Sequence, residues 1–267
     1  MKRCAFRRAT CAKPNVTFDP FGDFESRGYL RNVAQEKDLE IVRRLEHVSF
    51  TTGLDDAFKK LSEIKLLTYK DVLDTHKTLF EAVYAWAGED RAHNAPELAV
   101  SRGGVLFAHP QDIGRAIDAA LTKGQTKDIM RQRPGEVMGY LAFGHPFLDG
   151  NGRTIMVVHS VLAQRAGISI DWASTNKSTY LNALAQEIDN PGKGYLDNYL
   201  KPFVQTAITP DQLAGHIKEM PGLSGVAGTQ GNEDMVLGKV SEPAVQERYR
   251  AQRLQREKSE GSPRLDK

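Results

Sequence analysis

Between residues 144 and 153 the sequence reads Gly-His-Pro-Phe-Leu-Asp-Gly-Asn-Gly-Arg, set between two segments of helical periodicity. No other stretch constrains the chain as much, because two helices must meet here across a turn of special backbone geometry. Gly150, Asn151 and Gly152 allow positive φ and let successive N–H groups face a common point. They lead into a helix start, where unpaired N–H groups and the helix dipole favour an anion. Arg153 follows, and a guanidinium suits phosphate oxygens in charge and in fork geometry. Asp149 stands where a carboxylate can hold a hard cation such as Mg²⁺ against that phosphate. His145 opens the turn, and an imidazole, titrating near about 6.5 in water, suits a general base at neutral pH. Phe147 reads as the buried anchor. Asp-Gly and Asn-Gly alone would indicate only a turn, and the run also begins like a calcium loop. Arg153 at its fifth position and Ser160 at its twelfth exclude that loop, which needs a Glu at the latter. Together, a base, an acid, a glycine-rich anion turn and an Arg point to a phosphate-handling site.

Helical spacing dominates elsewhere. Leu54, Ala57, Phe58, Leu61 and Ile64 share one face. Thr68 and Asp71 form a capping-box pair that starts a helix with Tyr69, Val72, Leu73, His76, Phe80, Val83 and Tyr84 on its core face, ending at residues 86–88. Further helices are expected from Gln111, over 135–143, from Gly152 to Ala166 with Gly167 as the stop, around 181–188, and over 195–203. Gly103-Gly104, between short apolar runs, signals one hairpin within 95–108. The expectation is an all-α domain with that hairpin over 24–205. It is preceded by a basic, flexible segment, 1–23, without a secretory h-region. A linker and charged tail, 206–267, follows; residues 243–260 read as a solvated helix or an unpacked tail because they carry few apolar residues.

Composition sets limits. The net charge of +2 gives no bulk attraction to nucleic acid or membrane, and no apolar run approaches the roughly 18 residues that span a bilayer. Cys4 and Cys11, the two cysteines, both lie in the N-terminal segment, so no disulfide framework holds the fold.

The run at 145–153 resembles the Fic motif, His-x-Phe-x-(Asp/Glu)-Gly-Asn-Gly-Arg, at every fixed position. Tyr29-Leu-Arg-Asn32 resembles the entry segment of Fic domains, and residues 83–91 resemble the family's Tyr-x-Trp-Ala-Gly-x-x-Arg stretch. The likeness spans about residues 24–205. It implies a Fic-type helical bundle with a β-hairpin flap, and transfer of AMP from ATP to a Ser, Thr or Tyr hydroxyl of a target protein. By carry-over His145 is the base, Asp149 holds Mg²⁺, and Gly150, Asn151, Gly152 and Arg153 hold the phosphates. The flap, with Val105, Leu106 and Phe107, receives the target as an extended segment.

Two departures from the family pattern matter. Many family adenylyltransferases carry a second Arg three residues after the first, contacting the terminal phosphate; here that residue is Met156. Another nucleotide (UMP, GMP) or a phosphocholine-type donor is thereby left open, as is a cation supplied from Arg91, Arg102 or Lys177. A non-catalytic binding module on the same fold is disfavoured by the intact His145 and Asp149, and phosphorylation, as in the Doc branch, by Gly152. Many relatives also inhibit themselves through (Ser/Thr)-x-x-x-Glu-(Gly/Asn). The one approximate match, Thr229 with Glu233, is followed by Asp234, so a small inhibitory antitoxin protein, or no inhibitor, fits better. The family's distribution implies a bacterial cytoplasmic enzyme, a toxin acting in its own cell or an effector delivered into another.

Overall fold

A computed structural model describes residues 19–220 and 235–261. The chain runs α1 (Phe24–Arg27), α2 (Leu39–Glu63), α3 (Tyr69–Phe80), α4 (Arg91–Asn94), β1 (Leu98–Arg102), β2 (Val105–Leu106), α5 (Ile113–Gln125), α6 (Lys127–Gln132), α7 (Pro134–Gly144) and α8 (Asn151–Arg165). There follow β3 (Ile168–Ile170), α9 (Lys177–Asp189), α10 (Tyr195–Leu200), β4 (Val204–Thr206), α11 (Pro210–Lys218), β5 (Met235–Lys239) and α12 (Pro243–Gly261). The fold is helical, with a few short strands.

The helix α7 lies at the centre and is buried along its whole length, as its nearly unbroken apolar sequence requires. Around it pack α5, α8, α9 and α10, while α2 and α3 pair on the far side of α8. At the end of α2, Arg165 of α8 donates to the carbonyls of Leu61 (2.7 Å) and Ile64 (2.6 Å), the former also accepting from the Ile64 N–H at 3.3 Å. Thr68 and Asp71 form the expected capping box, the Asp71 carboxylate accepting from the Thr68 N–H at 2.7 Å.

Several boundaries differ from the sequence expectation. Helix α3 stops at Phe80 rather than continuing to 86–88. Beyond it the chain turns so that Asn32 and Tyr84 form an isolated antiparallel bridge, with Val33 N–H donating to Val83 O at 2.7 Å. Trp86 stacks on Tyr84 and donates its indole N–H to Leu30 O at 2.8 Å. This pairing with the entry segment competes with helix continuation and wins. The short sheet β3–β4 went unread because three-residue strands show too little alternation.

The largest correction concerns the C-terminal part. The flap is a three-stranded sheet of order β2–β1–β5, and α12 packs on it through buried Val245 and Tyr249. The tail is therefore a packed element and not a purely solvated one. Its anchor is small: Ala99, Leu106, Val245 and Tyr249 form a cluster separate from the main core. The Thr229–Glu233 pair and the basic residues up to 18 lie outside the described residues. Among the described residues, no helix is long and apolar enough to cross a membrane.

The helix crossing at Gly135 offers a test. A Cβ there would lie 2.4 Å from the Asp197 nitrogen and 2.5 Å from the Leu196 carbonyl carbon, both backbone atoms of α10. Gly135→Ala is expected to cost about 1–3 kcal/mol, read as a lower unfolding midpoint by circular dichroism with the helical signal retained below it.

Candidate active site

The motif loop joins α7 to α8 and is closed by one side chain. Asn151, buried at the start of α8, accepts from the Phe147 N–H through Oδ1 (2.8 Å) and donates to the Phe147 carbonyl through Nδ2 (2.7 Å). This two-point bond fixes which end of the amide is nitrogen. The same Nδ2 lies 3.2 Å from His145 Nε2, so it faces an unprotonated ring nitrogen. His145 takes a left-handed conformation (φ 41°) at the end of α7 and is 4% exposed. Its ring lies flat against Phe107, centroids 3.7 Å apart and planes within 2°.

At the other end of the loop, Gly150 caps α8 with φ 75°. A Cβ there would meet the Phe80 ring at 2.6 Å, so both conformation and space demand glycine. The first N–H groups of α8 have no carbonyl one turn earlier to bond, and a Cβ built on Gly152 meets nothing within 4 Å, leaving the approach to them open. Asp149 Oδ1 accepts from the Gly150 N–H (2.5 Å) and lies 3.8 Å from Arg153 Nη2, its side chain remaining 32% exposed.

Three groups outside the motif hold it in place. The buried His76 ring of α3 stacks on Phe147 (3.7 Å, 12°). The Gly88 N–H donates to its Nδ1 at 2.9 Å, which leaves Nε2–H to donate to the Asp149 carbonyl at 3.1 Å. Burial lowers its pKa to about 3, so it is a neutral brace. Arg91 is fully buried; its Nε donates to His145 O (2.8 Å), its Nη2 to Ala108 O (3.1 Å), and its backbone N–H to Pro146 O (2.6 Å). It ties the flap end to the motif loop, so it is not the spare cation for a terminal phosphate that the sequence left open. The third is Glu46 of α2, 5% exposed, whose Oε1 accepts from Arg153 Nη2 (3.1 Å) and from the Tyr84 hydroxyl (2.7 Å). The Arg153 guanidinium also rests over the Phe80 ring at 4.7 Å. Arg153 is thus shared between the loop and a buried acid more than a hundred residues away.

All the motif residues singled out from sequence, His145, Asp149, Gly150, Asn151, Gly152 and Arg153, come together. The flap residues Val105, Leu106 and Phe107 are each buried, with Phe107 against the imidazole. Met156 is 4% exposed within the main core. Sequence reasoning missed Glu46. Its signal was a charged residue on the stripe Val42, Glu46, Phe50, Leu54, all of which are buried. As to metal, no group of three or more His, Cys, Asp or Glu side chains among the described residues could hold one. A single carboxylate, Asp149, beside an open helix start instead fits Mg²⁺ carried by a phosphate ligand, an ion usually bound by one or two carboxylates and substrate oxygens.

Burial raises the Glu46 carboxyl from an ordinary 4.5 to about 7, against the opposing pull of Arg153. The folded chain therefore binds this proton more tightly than the unfolded chain, and stability falls as pH rises from about 4.5 to about 7. In Glu46→Gln that decline, on the order of 3 kcal/mol, should vanish. Denaturant unfolding of parent and variant at pH 5 and pH 8 checks it.

The chain is similar to known proteins in sequence and in fold. Residues 66–163 match the model of the Fic/DOC family. The protein adenylyltransferase VbhT of Bartonella schoenbuchensis is 31% identical over 169 residues, covering 58% of this chain and 32% of VbhT. The chain thus spans about a third of the length of that relative. Two solved structures share the fold. One is the N-terminal Fic domain of a VirB-translocated Bep effector protein with bound ADP, from Bartonella quintana (TM-score 0.58, 20% identity, 70% of this chain and 95% of that one). The other is BepC with bound AMPPNP, from Bartonella tribocorum (TM-score 0.55, 18% identity, 69% and 98%).

Proposed function

We propose that this chain, whose residues 66–163 match the model of the Fic/DOC family, is a protein nucleotidyltransferase that moves AMP from ATP onto a Ser, Thr or Tyr hydroxyl of another protein. The observation that carries the reading is the juxtaposition of an unprotonated imidazole nitrogen with an open helix N-terminus, both held by Asn151. The name of VbhT as an adenylyltransferase, and the nucleotides bound in the two solved Fic structures, support it.

In this reading the nucleotide phosphates lie on the N–H groups that open α8, with Arg153 beside them. His145 Nε2 exchanges its contact with Asn151 for the target hydroxyl and takes its proton. The hydroxyl oxygen attacks the α-phosphorus, the α–β phosphoanhydride bond breaks, and pyrophosphate leaves. Mg²⁺ held by Asp149 would supply charge neutralisation of the phosphates. Phe107 and the Arg91 bonds keep the imidazole and the loop aligned. The enzyme acts in the bacterial cytoplasm or, in the manner of an effector, after delivery into another cell. At the nucleotide site, restraint by a small partner protein, or none, fits better than an internal Glu.

A specific observation bears on the donor. The second guanidinium of many relatives is replaced by Met156, buried in the apolar core. A charge-assisted contact is worth about 1.5–3 kcal/mol. Without it, ATP and ADP should bind within about tenfold of each other by calorimetry, and donors lacking a γ-phosphate should compete well. A preference for ATP of a hundredfold would show that another cation reads the terminal phosphate.

The function itself is tested by incubating the chain with a bacterial lysate and each ribonucleoside triphosphate labelled at the α-phosphate. Label should pass from ATP to protein. His145→Ala should lower that transfer by about 10²–10⁴ while leaving the fold intact and ATP binding close to that of the parent. Transfer by a folded His145→Ala protein at the parental rate would remove His145 as the base.

A further inference from the structure

A hairpin that receives an extended polypeptide must offer it a row of unpaired N–H and C=O groups. Here both edges of the flap are taken by the chain's own C-terminal part. On one side β5 pairs antiparallel with β1, Leu98 opposite Lys239 and Ser101 opposite Met235, so β1 is paired on both edges. On the other side, Phe107 N–H donates inward to Val100 O at 3.1 Å, and strand alternation turns the polar groups of Leu106 outward. There the Gln252 side-chain amide donates to Leu106 O at 2.6 Å, and Arg248 Nη2 to Gly104 O at 3.2 Å. Further along α12, Arg256 lies 3.3 Å above the Phe143 ring, two residues before His145, and donates to Ile188 O at 2.9 Å.

Several features of the attachment favour its release over that of the main core. The apolar anchor of α12 is separate from the main core, and β5 adds to that core the partly buried Val236. The β1–β5 register is broken by an irregularity between Ala99 and Val100. The Tyr249 hydroxyl is buried without a hydrogen-bond partner, which disfavours the closed arrangement. A cavity of about 200 Å³ remains under α12, lined among others by Leu106, Arg248, Gln252 and Arg256. Small, separately packed units of this kind open without global unfolding.

We propose that β5 and α12 form an internal latch that occupies the flap in place of the target, and that an extended segment of the target pairs with the flap only after the latch has left it. This rests on the transferase reading above. The latch is independent of the nucleotide site, so its closure suppresses modification of other proteins without altering nucleotide affinity.

Leu98 and Lys239 face each other next to a hydrogen-bonded pair, Val240 N–H donating to Glu97 O at 2.8 Å. They are thus a non-bonded pair, where opposing side chains come closest, and Leu98→Cys with Lys239→Cys can be bridged. In the full chain, with Cys4 and Cys11 changed to Ser, the oxidised form should transfer label from α-labelled ATP to lysate proteins at least about tenfold more slowly than the reduced form, as expected when the competent state is depopulated. ATP affinity, by calorimetry, should be the same in both forms. Independently, Val245→Asp, which places a carboxylate in the small anchor, should raise transfer several-fold. Equal transfer by the oxidised and reduced forms overturns the latch, as does a loss of ATP binding on oxidation. If no form transfers label although ATP binds, the transferase reading fails, and the latch with it.

Discussion

The two hydrogen bonds between the Asn151 side chain and the Phe147 backbone make the rest of the site possible. They draw the two ends of a five-residue turn together inside the protein, where each bond replaces water that is no longer available to these groups. With the turn so closed, α7 must end at His145 and α8 must begin immediately after Gly150. The imidazole and the helix N-terminus are then neighbours by construction, and the remaining amide hydrogen falls on the His145 ring nitrogen. An Asp at this position could accept but not donate, and the geometry would have no reason to persist.

Around this turn the protein has placed buried groups with strict partner requirements. His76 is kept neutral and serves as a two-ended brace from Gly88 to Asp149. Arg91 spends its charge on main-chain carbonyls of the flap end and the loop. Arg153 faces Glu46 and the Phe80 ring. The effect is a site whose first residues are supported by groups from α2, α3 and α4, on elements that begin far from it in sequence. Truncating a buried partner in such a network costs more than the bond itself, because the group left behind has nowhere to turn.

Much of this was legible in the sequence, for reasons of locality. The loop from His145 to Arg153 is nine residues long, and its chemistry is written in adjacent positions. The capping pair Thr68–Asp71 and the Gly103-Gly104 turn are equally local, and the structure has both. What could not be read depends on distant partners. Glu46 looked like one more charged residue until its helix face was known. Arg91 looked like a free cation because nothing nearby in sequence claims it. The segment 243–260 looked unpacked because α12 buries, among its described side chains, Val245 and Tyr249 alone, too few for a periodic signal; its docking is decided by main-chain groups of the flap that any sequence would present. The early end of α3 has the same origin, a pairing with the entry segment that outweighs local propensity.

The contact between Phe107 and His145 has a geometric consequence. The lone pair of Nε2 lies in the plane of the imidazole, and with one face covered by a parallel ring a partner must meet it from that plane or from the side away from Phe107, as a spoke meets a hub. The covering ring is presented by the strand register Ser101–Leu106 and Arg102–Val105. Because side chains alternate across a strand, a slip by a single position would turn the phenyl group away and offer Leu106 or Ala108 instead. The hairpin therefore acts as a ruler whose graduation is one residue: the length of its two-glycine turn, which carries no chemistry of its own, determines whether a phenyl ring covers the imidazole.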